Sequence, residues 1–516
     1  MRGFFLVMTS NDPPKLQTAR TLWLQSRFED SLRLFEEVLE EHPDLPLALI
    51  DAARANGSHY RILKAESLLD RCLAANGENA ETLALAGPTY RMIHRGIKAL
   101  HTLEKAVSLA PADPTSVLEL ALLLDRAGRG EEALRILGGT LAQHPDFAEG
   151  RYFHAHLNVR MGDRAAGLGV LESIAADESQ HPYLRTRSFH ALAEAADRAG
   201  DPRQAITQAA RAKSLASKDD LNHLRHIASL LRKQGDQLAR IFSQSRLDDW
   251  KQETHSPVTL LTGCPRSGTT LLEKVLDAHP RIRSSDEHAL FARFLAPVVL
   301  QPPGLAGAGD AGLRLLRATG ETMDRLRHQY FTGMEELLGE PLHGRMMLDK
   351  NPSLTETIPA WLRMLPHSKI LIAIRDPRDV VLSCYLNHFP LNAYSLSFQT
   401  LEQTALRYAR EMKFWLGIRR KLPRGQWREV RYEDCVADLE NTARSLVEWM
   451  DLPWDGAVLD YREKLNTRLT QSPTYADVRS PVHTRSVARW KPYRQWLSPL
   501  EPILAPFLQE WGYACG

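Results

Sequence analysis

Cysteine is scarce in this sequence. Its five cysteines lie far apart along 516 residues, and no two of them form a CxxC pair. An odd, scattered set of cysteines fits a reducing compartment and supplies neither a disulfide framework nor the paired ligands of a zinc site. The set consists of Cys72, Cys264, Cys384, Cys435 and Cys515. We therefore expect a protein without disulfide bonds and without a bound metal.

Long apolar runs are also missing. The run from Phe4 to Met8 is shorter than the roughly 7 to 15 residues of a signal-peptide core. No later stretch approaches the ~20 apolar residues of a membrane-spanning helix. These two absences predict a cytoplasmic protein without a membrane partner.

The sequence has almost no excess of charge. Its formal net charge is +2, and its 43% apolar and 25% charged residues are ordinary for globular chains. This balance makes no overall case for nucleic acid, so no nucleic-acid partner is expected. The length suggests roughly two to four domains, and either half of the chain is long enough to bury a core.

The first half of the chain contains an internal repeat. A proline or glycine recurs every 34 residues, and a small residue lies twelve positions before each one. The recurring residues are Pro43, Gly77, Pro111 and Pro145, and the small ones are Ser31, Ala65, Ala99 and Ala133. Apolar residues at helical spacing, small residues for close packing and prolines that close each unit predict pairs of packed helices.

The repeat pattern resembles tetratricopeptide repeats and covers residues 15–245. It predicts an α-helical solenoid in this part of the chain. A stack of this kind is either purely structural or presents a concave surface to a polypeptide. The spacing leaves both interpretations open.

In the second half, residues 255–516, the spacing of apolar residues differs from that of the first half. Short apolar runs alternate with helical stretches from Pro257 onward, and this alternation predicts an α/β domain with a parallel sheet. Binding sites in such sheets gather at the carboxyl ends of the strands. The predicted strands are VTLLT, RIRSS, RMMLD, KILIAIR and WREVRY.

A phosphate-binding loop is predicted directly after the first of these strands. The segment from Gly263 to Thr270 nearly fits the GxxxxGK[ST] pattern, in which backbone N–H groups at a helix start hold anionic oxygens. The lysine position holds Thr269, which argues against hydrolysis of a nucleoside triphosphate. Arg266 supplies a forked cation inside the loop instead.

The loop sequence PRSGTTLLEKVLDAHP resembles the 5′-phosphosulfate loop of sulfotransferases, most closely that of the tyrosylprotein sulfotransferases. The segments SSDEH, DKNP, IRDPRDVVLS and VRSPVHTRSVARW extend the resemblance. It implies a P-loop-like sulfotransferase domain with 3′-phosphoadenosine-5′-phosphosulfate as co-substrate. It also implies direct transfer of the sulfuryl group to an acceptor hydroxyl, without a metal.

The resemblance implies catalytic roles for four residues. Glu287 is expected to be the general base, with Asp286 as the competing candidate. Lys350 and Arg266 are expected to stabilise the oxygen that bridges sulfur and phosphate. Thr474 stands where the family pattern shows a serine, and we expect it to contribute to catalysis.

The resemblance also implies a set of donor-binding residues. Arg375 and Ser383 match the residues that hold the donor's 3′-phosphate, while Asn387 stands where the family has a further arginine. Tyr432 and Arg489 match positions near the nucleotide, although the family shows lysine at the second of these. The loop contributes Pro265, Arg266, Ser267, Gly268, Thr269 and Thr270.

Several alternatives remain for the function. The acceptor hydroxyl belongs to a protein tyrosine, as the closest resemblance suggests, or to a glycan or a small molecule. A nucleotide kinase and a non-catalytic repeat scaffold are the rival interpretations. A polypeptide bound by the repeats and a homodimer are among the expected partners.

Overall fold

The computed structural model describes residues 12–251, 257–301, 310–465 and 482–515. The chain divides into two compact units. The first unit comprises Met1–Leu157 and Phe331–Pro341, and the second comprises Asn158–Tyr330 and Leu342–Gly516. The domain bounds expected from the sequence, 15–245 and 255–516, follow the repeat pattern and remain a prediction.

In the first unit, the consecutive helices between Pro14 and Gln143 each pack against the next. The small residues expected at the close approaches, Ser31, Ala65, Ala99 and Ala133, are all fully buried. The predicted helical repeat architecture is therefore confirmed. The helices are α1 Pro14–Leu24, α2 Phe28–Glu41, α3 Pro46–Ser58, α4 Ile62–Asn76, α5 Ala80–Met92, α6 Gly96–Leu109, α7 Pro114–Arg126, α8 Gly130–Gln143 and α9 Ala148–Met161, the last of which continues past the boundary of the unit.

The second unit begins with further helices of the same kind. They are α10 Arg164–Ala176, α11 Pro182–Arg198, α12 Pro202–Ser214, α13 Lys218–Ile241 and α14 Gln244–Trp250. Helices α10, α11 and α12 pack in sequence. A five-stranded sheet follows them in the chain.

The sheet has the order β2-β3-β1-β4-β5, and every neighbouring pair is parallel. Its strands are β1 Val258–Thr262, β2 Ile282–Ser284, β3 Met346–Lys350, β4 Lys369–Ile374 and β5 Trp427–Arg431. All residues of β1 and β3 are buried, as expected for inner strands of a parallel sheet. The predicted parallel sheet is confirmed.

Both faces of the sheet carry buried apolar residues. Leu261, Leu348 and Leu371 share one buried cluster with apolar residues of the first helix after β1. Their neighbours Leu260 and Ile370 point to the opposite face, because side chains alternate along a strand, and they are buried as well.

The helices connecting and following the strands are α15 Thr269–Asp277, α16 Ala296–Leu300, α17 Ala311–Arg317, α18 Gly320–Leu338, α19 Ile358–Met364, α20 Pro377–Leu386, α21 Leu401–Arg419, α22 Tyr432–Ala437, α23 Leu439–Trp449, α24 Tyr461–Leu465, α25 Arg494–Leu497 and α26 Glu501–Glu510. Short 3₁₀ and π-helical turns connect several of them. Across the described ranges, no helix combines the length and the apolarity needed to cross a bilayer.

Candidate active site

The loop between β1 and α15 fits tightly against its neighbours. Gly263 and Gly268 have φ angles of +133° and +93°, which favour glycine. A Cβ atom would lie 2.6 Å from the carbonyl oxygen of Ala373 at the first position and 2.6 Å from the ring of Tyr432 at the second. The loop leads into the start of α15, whose first N–H groups have no partner within the helix. This geometry suits the binding of an anion.

Three of the predicted residues meet at this loop. The Arg266 Nε–H donates to Ser383 Oγ at 3.0 Å, and Arg375 Nη1 donates to the backbone oxygen of Arg266 at 3.1 Å. The Asn387 side-chain amide also donates to Ser383 Oγ, at 3.2 Å. Residues from β1's loop, β4's end and α20 are therefore joined by direct hydrogen bonds.

The Arg375 side chain is buried among polar and aromatic groups. Its guanidinium carbon lies 5.0 Å from the centre of the Tyr432 ring, and Nη2 lies 3.6 Å from a carboxylate oxygen of Asp379. Burial raises the pKa of Asp379 to about 6, while Arg375 acts in the opposite direction. The Nε of Arg375 is buried and has no hydrogen-bond partner among the described residues. A ligand with anionic oxygens would satisfy that donor.

Lys350 and Glu287 form an ion pair beside this loop. Their Nζ and Oε1 atoms are 2.7 Å apart; the lysine side chain is 0% exposed and the glutamate side chain 41% exposed. Asp286, the competing candidate, pairs with Lys274 at 3.0 Å and has a φ angle of +61°. The adjacent acids thus point to different lysines. Glu287 is the one that combines a link to Lys350 with access to solvent.

Glu273 is a member of this cluster that the sequence interpretation missed. It lies on α15, is fully buried, and places Oε2 3.3 Å from Lys350 Nζ. The Ser284 hydroxyl donates to its other oxygen. Burial raises the pKa of Glu273, and Lys274 and Lys350 oppose that effect. The available signal was a charged residue between Leu272 and Lys274, in a helix whose other residues near it are apolar.

The lysine at the end of β3 keeps its charge inside the protein. Burial alone would lower the pKa of Lys350, but the carboxylates of Glu273, Glu287 and Asp286 outweigh it, so that the pKa is raised. A positive charge is therefore maintained at the carboxyl end of the sheet.

A second polar group that the sequence interpretation missed supports the same segments. Asp349 accepts a hydrogen bond from the Tyr330 hydroxyl at 2.9 Å, and His288 Nε2 lies 3.3 Å from the same carboxylate oxygen. The Asn351 amide donates to the backbone oxygen of His288 at 2.7 Å. These contacts link the end of β3 to the segment that carries Glu287. In the sequence, these contacts are indicated only by the positions of their residues: His288 directly follows Glu287, and Asp349 and Asn351 flank Lys350.

The remaining predicted residues take up varied positions. Tyr432 begins α22 and contacts Gly268, while Arg489 pairs with Asp197 of α11. Thr474 lies outside the described residues. The other loop residues are Pro265, whose backbone oxygen accepts a hydrogen bond from the Cys384 thiol, and the buried Ser267, Thr269 and Thr270.

No group of three metal-binding side chains occurs in the part of the chain that the structure describes.

Segments in both halves of the chain match known protein families. The sequence pattern described as "Sulfotransferase family" matches residues 257–456. Residues 257–456 form a sulfotransferase-family domain. The "Tetratricopeptide repeat" pattern matches residues 95–157. Tetratricopeptide repeats therefore precede the sulfotransferase domain, as the sequence predicted.

Relatives cover the chain to different extents. An uncharacterized protein of Aquifex aeolicus is 24% identical over 94% of this chain, which spans 58% of that protein's length. Protein-tyrosine sulfotransferase 1 of Danio rerio is 26% identical over 50% of this chain and 72% of its own. The human protein of the same name is 25% identical over 50% of this chain and 70% of its own.

Two solved structures are similar to separate parts of the chain. The sulfotransferase domain from the curacin biosynthetic pathway has a TM-score of 0.36 and 16% identity, and the match covers 51% of this chain and 100% of that one. A tetratricopeptide repeat protein from Parabacteroides merdae has a TM-score of 0.33 and 17% identity, with coverage of 40% and 78%.

Proposed function

We propose that the chain transfers the sulfuryl group of 3′-phosphoadenosine-5′-phosphosulfate to an acceptor hydroxyl. The observation that carries this proposal is the pairing of Lys350 with the half-exposed Glu287, 2.7 Å apart, at the edge of the sheet that also holds the phosphate loop. A cation and a carboxylate at this edge match the two demands of the reaction. One group accepts a proton, and the other stabilises negative charge on the leaving oxygen.

The residues around the loop fit the two anionic ends of the donor. The 5′-phosphosulfate would bind to the loop between Gly263 and Thr270, at the start of α15. The 3′-phosphate would bind to Arg375 and Ser383, which supply a guanidinium and a hydroxyl. The buried Nε of Arg375, which has no partner among the described residues, supports this placement. The donor site would distinguish this nucleotide from ADP and ATP, which lack a 3′-phosphate.

The transfer is an in-line displacement at sulfur. The acceptor oxygen forms a bond to sulfur as its proton passes to the Glu287 carboxylate, while the bond between sulfur and the bridging oxygen breaks. That oxygen leaves as part of 3′-phosphoadenosine-5′-phosphate. Lys350 and Arg266 stabilise the charge that develops on it.

A protein tyrosine is the acceptor we propose first. Animal relatives are named protein-tyrosine sulfotransferases, and tetratricopeptide repeats are a type of surface that binds polypeptides. Glycans and small phenols or alcohols are the alternative acceptors. Transfer of radioactive sulfate from the donor to a panel of all three classes would distinguish them.

The role of Glu287 can be tested beside its neighbour. In Glu287→Gln we expect kcat to fall by about 100-fold or more, because the acceptor proton has no base to receive it. The dissociation constant for 3′-phosphoadenosine-5′-phosphate should stay within about twofold, since Glu287 does not hold the donor. Steady-state kinetics with the best acceptor and calorimetric titration measure the two quantities.

Asp286→Asn is the matched control, because Asp286 is the adjacent acid and pairs with Lys274 instead. We expect it to reduce kcat much less than Glu287→Gln does. A larger loss of kcat in Asp286→Asn would reverse the assignment of the base.

A further inference from the structure

Lys350 lies between two carboxylates that differ in their access to solvent. Its Nζ atom is 2.7 Å from Glu287 and 3.3 Å from Glu273. The Glu287 side chain is 41% exposed, whereas Glu273 is fully buried. Only the exposed carboxylate can meet an acceptor hydroxyl. The buried one faces the lysine from within the domain.

The orientation of Glu273 is set by its own contacts. It lies on the second turn of α15, the helix that begins at the phosphate loop. The Ser284 hydroxyl, at the end of β2, donates to one carboxylate oxygen, and the other oxygen faces Lys350. The neighbouring Lys274 lies 3.6 Å from Glu273 but is closer to Asp286, at 3.0 Å. Glu273 is therefore directed at Lys350.

The charges of the cluster balance when Glu287 holds a proton. Lys274 and Lys350 face Glu273, Asp286 and Glu287, and Lys274 also faces Asp277, which pairs with Lys464 at 3.3 Å. With Lys464 counted, protonation of Glu287 leaves three positive and three negative charges. Without Glu273, the same step would leave the buried Lys350 without either of the ionised carboxylates that it contacts, which is costly and favours loss of the lysine's proton.

We infer that Glu273 is a positioning residue whose carboxylate keeps the Lys350 ammonium charged and directed at the leaving oxygen while Glu287 takes up the acceptor's proton. This inference rests on the proposed sulfuryl transfer. Glu273 itself touches neither donor nor acceptor in the proposed mechanism. It acts only through Lys350.

The pH dependence of kcat tests this role in the full-length protein. In Glu273→Gln, Lys350 loses a counterion that raises its pKa, and burial, which lowers the pKa, is then less opposed. We expect the alkaline limb of the kcat profile to move to lower pH. The ratio of kcat at pH 9 to kcat at pH 7 should fall about tenfold below that of the wild type. Donor affinity at pH 7 should change much less than kcat.

Two further variants separate charge from orientation. Glu273→Asp retains the carboxylate and should restore much of the wild-type pH profile. Ser284→Ala removes the hydrogen bond that orients Glu273 but keeps its charge, so a smaller shift in the same direction is expected. These variants also allow a test if Glu273→Gln fails to fold.

Glu411→Gln is a control for the loss of a buried acid. Glu411 is fully buried in the same unit and pairs with Arg407 at 3.2 Å. We expect it to lower thermal stability without moving the alkaline limb. If Glu273→Gln and Ser284→Ala turn over with an unchanged profile, the inference is wrong while the proposed function stands. If the wild type neither binds nor uses the donor, both are wrong.

Discussion

Gly268 occupies a position where a side chain has no room. Its φ angle of +93° is rare for other residues, and a Cβ atom would lie 2.6 Å from the Tyr432 ring. We expect Gly268→Ala to destabilise the protein by about 1–3 kcal/mol, from backbone strain and displacement of the ring. The free energy of unfolding from urea denaturation measures the effect.

Gly417→Ala is the corresponding control. Gly417 lies within α21, and no atom would lie within 4 Å of an added Cβ. Alanine favours a helix interior, so this change should be neutral or stabilising by roughly 0.5–1 kcal/mol. Equal losses of stability in the two variants would contradict the tight fit described for the loop.

Single residues differ in how far their surroundings can be predicted from the sequence. The loop glycines and Arg266 follow from a spacing whose local geometry is well defined. Glu273 could not be identified in the same way, because its partner Lys350 is 77 positions away and the adjacent Lys274 makes the pair look like a solvent-facing part of the helix. The choice between Asp286 and Glu287 likewise depends on one φ angle and on two lysines from different elements.

At the scale of elements, the C-terminal segment is attached to helix α11. Asp197, at the end of that helix, pairs with Arg489 and accepts a hydrogen bond from the Tyr493 hydroxyl at 2.5 Å. The resemblance to sulfotransferases instead implies that Arg489 contacts the donor. The two roles predict different consequences of substitution.

We expect Arg489→Ala and Asp197→Asn to act on the same attachment. Each should increase hydrogen–deuterium exchange in residues 486–493, and the double variant should add little to either. Titration with 3′-phosphoadenosine-5′-phosphate should give similar affinities for both single variants. If Arg489→Ala weakens binding about tenfold or more and Asp197→Asn does not, Arg489 holds the donor and the attachment is secondary.

The strands and most helices could be predicted because the spacing of apolar residues that indicates each of them lies within the segment itself. Alternation of apolar runs with helical stretches was enough to predict a parallel sheet. The strand order β2-β3-β1-β4-β5 could not be read in this way. It depends on pairings between segments far apart in the chain, such as Leu261 with Lys350.

At the scale of the whole molecule, the repeat pattern and the compact units divide the chain differently. Helices α10 to α13 belong to the unit that contains the sheet. Within that unit, His190 Nδ1 lies 2.8 Å from the Leu386 oxygen, and Arg410 pairs with Asp236 at 3.0 Å. A 34-residue spacing indicates how helices pair but carries no information on such contacts. The boundary near residue 250 that the sequence predicts therefore follows the change of pattern, not the contacts.

The proposed function depends on the identity of the donor. Calorimetric titration of the full-length protein with 3′-phosphoadenosine-5′-phosphate, beside ADP and ATP without magnesium, tests that identity most directly. Arg375→Ala removes the guanidinium proposed to hold the 3′-phosphate. Arg444→Ala, which changes a surface arginine paired with Glu440, is the control.

We predict that the 3′-phosphorylated nucleotide binds at least about tenfold more tightly than ADP or ATP. Arg375→Ala should lose about 10- to 100-fold of that affinity, since a hydrogen bond to a charged group contributes roughly 1.5–3 kcal/mol. Arg444→Ala should bind as the wild type does. Equal or tighter binding of ATP, unaffected by the change at Arg375, would contradict the proposed sulfuryl donor.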